Sequence, residues 1–361
     1  MKVMWIHGVS RLRGASMNKC VDFLQPAVGR QATDFDIVID EIKGIRVPFL
    51  KGIINRYFLY SIHSLKLRAD LFHIHDHANA HLISLLPKNA PKILTLYDLY
   101  MLEIPVLNPK VLPFRLFNVP GIRRADHIIT ISSQMKKEIS EKLSYPTERI
   151  SVIYSGIDHS LYTPRPGCEE VLRQYGLESG TKYLLFVGSE IPRKNFNSVL
   201  IVFKRLLESH PDLVLLKVGN PGSQRARNNT MRKMTQLELQ DKALFCGFVP
   251  EEHLPYFYSN AQLLLAPSHY EGDCGLHVIE AMACGCPVVA SNIPQARELA
   301  GDAVIYCDPN NVDDILEKTI SILEDEKVRA ELVSKGPKKA REFSWEKSAK
   351  EHISLYIKYM E

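Results

Sequence analysis

Residues 263–290, LLLAPSHYEGDCGLHVIEAMACGCPVVA, decide the fold class of this chain. An apolar run ends at Ala266, a polar loop containing Gly272 and Gly275 follows, and a helical pattern then leads to a second apolar run. Glycines let such a loop turn tightly with exposed backbone amides, and a helix N-terminus carries about half a positive charge. The order strand, loop, helix and strand therefore predicts a parallel α/β unit whose loop and helix N-terminus suit a diphosphate.

Short apolar runs alternate with helical patterns along the rest of the chain in the same way. One series of six runs begins at residues 3–7 and ends at 150–154, and a second series of six begins at 183–187 and ends at 304–306. Alternation of this kind is typical of strand–helix repeats that build a mainly parallel sheet. We therefore predict two sheets, one from each half of the chain.

A linker separates the two series. Residues 162–167, YTPRPG, contain two prolines and a glycine that interrupt regular structure. The prediction is an α/β protein of two doubly wound, Rossmann-like domains, residues 1–163 and 164–343, that face each other across a cleft. A helix at 344–361 is expected to cross back to the first domain, because its apolar residues recur at helical spacing.

The composition is that of a globular protein with room for two cores. Of the 361 residues, 45% are hydrophobic and 24% are charged, a balance that argues against both disorder and a membrane-embedded chain. No apolar run approaches the ~20 residues that cross a bilayer, and residues 1–8 lack the apolar stretch of a signal peptide. The seven cysteines are scattered and suit a reducing compartment. We therefore expect a cytoplasmic protein without a disulfide framework.

Basic residues and aromatic rings alternate between residues 43 and 68. Such a mixture suits the surface of an anionic membrane, but a solvated basic face of an ordinary helix has the same pattern. Both interpretations stay open for residues 43–68. Peripheral contact with the inner face of a membrane is therefore one expectation, and a surface that only meets water is the other.

A second stretch with chemical potential, residues 186–196, FVGSEIPRKNF, follows the first strand of the second series. Its loop begins at Gly188 and Ser189, and its basic pair, Arg193 and Lys194, stands directly before the next helical pattern. Cations at the carboxyl end of a strand can stabilise the charge that develops on a leaving diphosphate. A basic pair on a loop is usually only solvated, but its occurrence together with residues 263–290 favours a catalytic role for Arg193 and Lys194.

Both stretches resemble the signatures of the family 4 retaining glycosyltransferases, a large group with the GT-B fold. The family run EGFGLPxLEAMAxGxPVVA has seven residues between its two glutamates, whereas Glu271 and Glu280 of this chain have eight. The loop carries an extra residue at 273–274, and His277 replaces the common proline. Residues 186–196 resemble the family pattern Gly-Arg/Thr-x-x-Pro-x-Lys-Asn/Gly, whose basic side chains hold the pyrophosphate.

The resemblance extends along most of the chain. RADHIITIS at 124–132 and VIYSGID at 152–158 resemble family segments at the end of the N-terminal domain, with Ser155 in place of the usual asparagine. GFVP at 247–250 resembles the stretch beside the donor base, where main-chain contacts near Val249 are expected.

This resemblance implies a nucleotide diphosphate sugar as donor and assigns roles to individual residues. Glu271 joins Arg193 and Lys194 as a catalytic residue, and so does Tyr97, which stands where many relatives have the histidine of a Thr-x-His-Asp motif. The donor-binding residues implied are Gly188, Ser189, Val249, Gly272, Cys274, Gly275, Leu276 and Glu280. The acceptor side is implied at Gly14, Ala15 and Asp98.

Tyr97 is the clearest departure from the family pattern. A tyrosine hydroxyl can donate a hydrogen bond to a sugar oxygen, but its reference pKa of about 10 makes it a poor proton shuttle at neutral pH. Tyr97 therefore either binds the sugar or leaves proton transfer to another group. Four nearby histidines, at 73, 75, 77 and 81, are spaced too unevenly to favour a metal site, and we interpret them as ordinary histidines.

The expected activity is that of a metal-independent retaining transferase. It would move a hexose-type sugar from a nucleotide diphosphate sugar, with UDP or GDP as the nucleotide, to a glycan, lipid or small-molecule acceptor. No metal, further cofactor or nucleic-acid partner is expected, because the nucleotide sugar is itself a substrate. The main alternative is a catalytically silent GT-B protein that binds a nucleotide sugar, which Tyr97 and the lengthened loop suggest. A dehydrogenase is disfavoured, since no Gly-x-Gly-x-x-Gly follows residues 3–7.

Overall fold

The computed structural model describes residues 1–7, 16–33, 35–41, 55–104, 111–167, 169–271 and 275–361. These residues form two units. The first contains residues 1–156 and 345–361, and the second contains residues 157–344. No helix in the described part of the chain is long and apolar enough to cross a membrane.

The boundary between the units lies after Gly156, earlier than the predicted boundary after residue 163. Ile157 forms a bridge with Ser344, and the Tyr162 hydroxyl donates a hydrogen bond to Glu251 at 3.0 Å. The predicted linker is therefore held on the second unit by its own hydrogen bonds. Proline and glycine interrupt regular structure here without separating two domains.

The first unit is built on a six-stranded parallel sheet in the order β2-β1-β3-β4-β5-β6. Its strands are β1 Lys2–His7, β2 Asp36–Glu41, β3 Leu71–Ile74, β4 Lys92–Thr95, β5 His127–Thr130 and β6 Ile150–Val152. Its α-helices are Ser16–Gln31, Tyr60–Ser64, Tyr100–Glu103, Val119–Arg123, Ser133–Leu143 and Trp345–Met360. Short π-helical turns at Asn55–Leu59 and Phe114–Asn118 precede the second and fourth of these helices, and 3₁₀ turns occur at His77–Ser84 and Thr147–Arg149.

The C-terminal helix Trp345–Met360 packs within the first unit. The Trp345 ring stacks on Phe23 with centroids 6.0 Å apart, and the Tyr356 hydroxyl meets His73 Nδ1 at 2.6 Å. Tyr356 and Trp345 lie on the apolar side of the helix, as helical spacing of the apolar residues predicts. Their burial ties the end of the chain to the first sheet.

The second unit repeats this architecture with the order β12-β11-β10-β7-β8-β9, again all parallel. Its strands are β7 Tyr183–Val187, β8 Val214–Val218, β9 Ala243–Gly247, β10 Leu263–Ala266, β11 Val288–Ser291 and β12 Ile305–Cys307. Its α-helices are Glu169–Arg173, Phe196–Leu206, Gln224–Leu237, Leu254–Asn260, Leu276–Ala283, Pro294–Ala300, Val312–Glu324 and Glu326–Ala340. 3₁₀ turns occur at Pro192–Lys194 and Glu251–His253.

Strand burial explains why the apolar runs are continuous and do not alternate. All four residues of β10 are buried, and so are four of the five residues of β7. Parallel strands covered by helices on both faces have this composition. The structure therefore confirms the predicted α/β class and the two doubly wound sheets.

Candidate active site

The second sheet changes direction between β7 and β10. From β7 the chain continues outward to β8 and β9, and from β10 it continues to β11 and β12 on the other side. Two loops diverge at such a switch point, and ligands of open parallel sheets bind in the crevice outside the carboxyl ends of these strands. The loops that leave β7 and β10 contain residues 188–195 and 267–275, the two stretches that the sequence marks as chemical.

A buried ion pair joins the two loops. Lys194 Nζ donates to Glu271 Oε2 at 2.5 Å, and each side chain is only 8% exposed. The Arg193 guanidinium lies 3.7 Å from the same carboxylate oxygen and donates to the carbonyl oxygen of Tyr270 at 3.3 Å. Two cations therefore surround one carboxylate, which leaves an excess positive charge at the switch point.

Backbone and amide contacts fix the basic pair in place. The amide of His269 donates to the carbonyl oxygen of Arg193 at 2.8 Å. Asn195 Nδ2 donates to the carbonyl oxygens of Pro267 at 3.0 Å and Pro309 at 2.7 Å. Asn195 has a left-handed conformation with φ 57°, which asparagine tolerates better than most residues. The cations thus come from a braced turn, so little reorganisation is needed when an anion binds.

The other end of the loop stays close to the neighbouring strand. The amide of Gly188 donates to the carbonyl oxygen of Val218 at 3.0 Å. Gly219 has φ 107°, and a Cβ at this position would lie 3.0 Å from the carbonyl oxygen of Gly188. Glycine is therefore required at residue 219. Gly188 and Ser189, which were predicted to bind the nucleotide-sugar donor, lie where the backbone of this loop closely approaches the backbone of Gly219.

The helix Leu276–Ala283 starts at the same crevice. Gly275 precedes it in a left-handed conformation with φ 59°, and all eight residues of the helix are buried. The first amides of a helix have no carbonyl partner within it and carry partial positive charge. Beside this helix lies a small cavity that opens to solvent, whose lining includes Ser268, Glu271, Gly275 and Val278. Gly275 and Leu276 thus lie where the sequence predicts donor contacts.

Glu271 also presents an oxygen that is ready to accept a hydrogen bond. Its Oε1 is buried and has no hydrogen-bond partner among the described residues, which exclude 272–274, while His277 Nε2 lies 3.9 Å away. A buried carboxylate oxygen without a hydrogen-bond partner lowers the stability of the folded state. A hydroxyl group entering the cavity could remove this cost by donating to Glu271.

Glu280, the second signature glutamate, has a different environment. Its Oε2 accepts a hydrogen bond from the Tyr258 hydroxyl at 2.8 Å, and its side chain is buried. Burial, and next the charge of Glu280, hold the pKa values of Tyr258 and Tyr162 far above the usual tyrosine range. Glu280 thus accepts from a neutral phenol. The sequence analysis predicted that Glu280 binds the nucleotide-sugar donor, but it did not identify Tyr258 as the hydrogen-bond partner of Glu280.

A second buried ion cluster in the same loop was missed by the sequence interpretation. The Glu190 side chain is fully buried, with Oε1 3.1 Å from Lys217 Nζ and 2.7 Å from Arg227 Nη2. Lys217 is also fully buried, and burial lowers its pKa although Glu190 opposes this shift. The one available signal was a lysine within the apolar strand VLLKV, because a buried charge needs a partner.

The remaining predicted site residues lie away from these two loops or outside the described ranges. Val249 is buried directly after β9. In the first unit, Tyr97 is buried and lines a small pocket together with His75 and His352. Asp98 accepts from the amide of Tyr100 at 2.9 Å. Four predicted residues fall outside the described ranges: Gly14, Ala15, Gly272 and Cys274.

Three histidines of the first unit, His73, His75 and His352, form a buried group with lowered pKa values. The rings of His73 and His75 lie 3.7 Å apart, and His73 Nε2 meets the Thr95 hydroxyl at 2.8 Å. Burial, reinforced by neighbouring histidines, lowers the pKa of His73 and His75 well below the usual range. Burial also lowers the pKa of His352 to about 4. Within the described ranges, no group of three or more His, Cys, Asp or Glu side chains could hold a metal ion.

Comparison with known proteins gives matches in both units. The family model described as Glycosyltransferase Family 4 matches residues 21–161, and the model Glycosyl transferases group 1 matches residues 169–339. O-antigen chain mannosyltransferase B of Escherichia coli is 32% identical over 270 residues, which are 73% of this chain and 69% of that protein. O-antigen chain mannosyltransferase RfbU of Salmonella typhimurium is 28% identical over 218 residues, 60% of this chain and 57% of that protein.

Solved structures extend the likeness to the whole chain. Sucrose-phosphate synthase of Thermosynechococcus elongatus matches with a TM-score of 0.83 at 19% identity, covering 99% of this chain and 98% of that one. HepE of Anabaena, in complex with UDP and glucose, matches with a TM-score of 0.80 at 19% identity and 99% coverage of both chains. Identities this low establish the fold alone. The solved structures show that this chain has the GT-B fold. The two family models and the sequence match to the Escherichia coli transferase show that it belongs to the family 4 glycosyltransferases.

Proposed function

We propose that this chain is a retaining, metal-independent hexosyltransferase that uses a nucleotide diphosphate sugar and needs no cofactor. The cluster of Arg193, Lys194 and Glu271 at the β7/β10 switch point carries the proposal, because it offers preformed positive charge beside a helix N-terminus. The names of the two O-antigen chain mannosyltransferases support transfer of a hexose. The complex of HepE with UDP and glucose supports a nucleotide sugar as the donor. The acceptor is proposed to be a glycan, a lipid-linked glycan or a small molecule.

The reaction breaks the bond between the anomeric carbon and the diphosphate oxygen. Arg193, Lys194 and the amides at the start of Leu276–Ala283 stabilise the negative charge that develops on the departing oxygen. The acceptor hydroxyl forms the new bond on the same face of the sugar and passes its proton to the leaving phosphate. The anomeric configuration is thereby retained, and no protein nucleophile is needed.

Glu271 has two roles in this proposal. Without a donor, its Oε2 neutralises Lys194. When the diphosphate binds, phosphate oxygens compete for Lys194, and the unpartnered Oε1 accepts from a sugar hydroxyl. The roles implied by the family for Glu280, Val249 and Tyr97, as donor and sugar contacts, remain part of the proposal.

The decisive experiment offers the purified full chain a panel of UDP-, GDP- and ADP-linked hexoses. Release of the nucleoside diphosphate is followed with and without EDTA, and the anomeric configuration of the glycoside formed with an added acceptor is read from its NMR coupling constants. Turnover of one donor, unaffected by EDTA and with retained configuration, is the expected result. Tight nucleotide binding without turnover would instead favour the catalytically silent GT-B protein, and an inverted product would contradict the mechanism.

Peripheral contact with an anionic membrane through residues 43–68 also belongs to this proposal. Residues 43–54 lie outside the described ranges, so the structural support comes from residues 55–68. In that part, Phe58 is exposed, whereas Tyr60 is buried and contributes to the core of the first unit. Tyr60 is one of the aromatic residues between 43 and 68 that suggested a membrane surface, and its burial excludes it from any such surface.

A further inference from the structure

Two helical segments of the first unit expose large apolar side chains. In the segment that runs through Asn55–Leu59 and Tyr60–Ser64, the side chains of Phe58, Ile62 and Leu65 are 60%, 46% and 55% exposed. Their spacing of four and three residues places them on one side of the helical segment. Side chains of this size are rarely left in water together unless another surface covers them.

The second segment repeats this feature around Phe114–Asn118. Leu112, Leu116 and Phe117 are 46%, 58% and 53% exposed. The spacing of four residues places Leu112 and Leu116 on one helical side, and Phe117 follows Leu116 directly. Phe114, between them in sequence, is buried and anchors the segment to the unit.

Tyr57 joins the two segments into one surface. Its ring lies 5.4 Å from the ring of Phe117, and its hydroxyl donates to Asn118 Oδ1 at 2.9 Å. The exposed side chains of both segments therefore belong to a single apolar face. We call it the Phe58 face and define it as Phe58, Ile62, Leu65, Leu112, Leu116 and Phe117.

The two segments that carry the Phe58 face are basic in sequence, and the carboxylates of Asp70 and Asp126 follow them directly in the chain. Residues 55–69 and 111–125 contain six Lys and Arg residues and no Asp or Glu. Four of these cations are exposed: Lys66, Arg68, Arg123 and Arg124. These cations complement the phosphates of anionic headgroups, and the apolar side chains suit the boundary with the acyl chains, so an anionic bilayer fits both features of the face.

We propose that the Phe58 face docks the first unit on an anionic lipid bilayer. The apolar side chains enter the boundary between headgroups and acyl chains, and the basic side chains meet the lipid phosphates. This docking surface deepens the membrane contact of the proposed function and relocates it. The second half of the surface, residues 112–117, was not anticipated from the sequence.

Flotation of the full chain with vesicles tests the proposal. The vesicles contain phosphatidylcholine alone or phosphatidylcholine with phosphatidylserine, and the expected result is binding to the anionic vesicles that weakens as salt increases. The double variant Phe58→Ser/Leu116→Ser should lower the partition coefficient at least about tenfold, because it removes two apolar side chains that are proposed to enter the bilayer. Lys66→Glu should lower it as well. The matched control is Met231→Ser/Val333→Ser, which changes two exposed apolar residues of the second unit and should float like the unaltered chain.

Two further readouts separate this proposal from the transferase assignment. Nucleotide release in lipid-free buffer should be equal for the unaltered chain and the Phe58→Ser/Leu116→Ser variant, and circular dichroism should show equal melting temperatures. Failure of the unaltered chain to float, or equal flotation with neutral vesicles, overturns the docking proposal while leaving the transferase proposal intact. Sedimentation showing a dimer that the double variant dissociates, without flotation, would assign the face to a second copy and also overturn it.

Discussion

The two units have similar parallel sheets but differ in the charge of the buried titratable groups near the strand ends. In the second unit, Lys194 and Glu271 are buried as charged partners at the ends of the loops, and so are Lys217 and Glu190. In the first unit, His73 and His75 are buried at the carboxyl end of β3, and burial lowers their pKa values. The second unit therefore places charged groups at its switch point, whereas the first unit keeps this pair of histidines neutral.

This difference suggests a division of labour within one architecture. A diphosphate brings negative charge that must be met without large rearrangement, and preformed cations at a helix N-terminus meet it. A sugar hydroxyl carries no charge, so neutral imidazole, hydroxyl and phenol groups suffice to bind it. The contrast between the units is thus the physical basis for assigning the donor to the second unit.

The largest effect is expected when the charge of the second unit is removed at Lys194. Lys194→Met should lower kcat/KM by roughly 10³-fold, the loss typical of removing one preorganised group that stabilises transition-state charge. The double variant Lys194→Met/Glu271→Gln separates this loss from instability, since it leaves no buried carboxylate unpaired. Lys204→Met, at an exposed lysine of the following helix, is the control. A folded Lys194→Met variant with unchanged turnover would show that the switch point is not the donor site.

A smaller effect is expected from the missed cluster at Glu190. Glu190→Gln leaves Lys217 and Arg227 facing each other without their carboxylate, which destabilises the loop that carries Arg193. We expect a lower melting temperature and about a tenfold higher KM for the donor, with kcat nearly unchanged, because Glu190 positions the loop without contacting the reacting atoms.

Rescue distinguishes positioning from general damage. The double variant Glu190→Gln/Lys217→Met removes the repulsion and should restore much of the donor KM. Glu317→Gln, at an exposed ion pair of the same unit, should change neither quantity. A drop in kcat with KM unaltered would mean that Glu190 acts on the reaction itself.

The first unit should respond to pH. Burial lowers the pKa values of His352 and His127 to about 4, whereas an unfolded histidine titrates near 6.5. The unfolded state therefore binds more protons between these values, and stability falls as pH decreases from 6.5 towards 4. Each such histidine should increase opening of the first sheet about fivefold between pH 6.5 and 5.5.

Hydrogen exchange, corrected for its intrinsic pH dependence, measures this opening strand by strand. Amides of β3 and β5 report on the first unit, and β10, which has no titratable side chain, is the internal reference. His352→Leu should reduce the pH dependence of β3. Exchange in β3 that stays constant over this range would mean that these histidines are not kept neutral by folding.

The sequence predicts features that depend on neighbouring residues. The strand, loop and helix from Leu263 to Ala283 follow from local periodicity and glycine positions, and Arg193 and Lys194 stand next to each other in the chain. Their meeting with Glu271 could be anticipated because the loops of β7 and β10 share one end of a parallel sheet.

Features that depend on distant parts of the chain were not predictable in this way. The cluster of Glu190, Lys217 and Arg227 requires three segments to meet, and the lysine within the apolar strand VLLKV is its one local signal. The partner of Glu280 lies on another helix, at Tyr258. The exposure of individual side chains was also not predictable, since Tyr60 is buried while Phe58, two residues away, is exposed.

The smallest effect should come from Tyr97, the residue that departs most from the family pattern. Its side chain is 4% exposed in the first unit, where the hydroxyl can bind a sugar oxygen but is a weak proton shuttle at neutral pH. Tyr97→Phe should therefore lower kcat by less than about tenfold, the scale of one neutral hydrogen bond, and leave the pH–rate profile unchanged. Tyr100→Phe, at an exposed position in the same region, is the control. A loss above about 100-fold, with a shifted pH profile, would place proton transfer at Tyr97 and end the view that the first unit contributes only neutral binding groups.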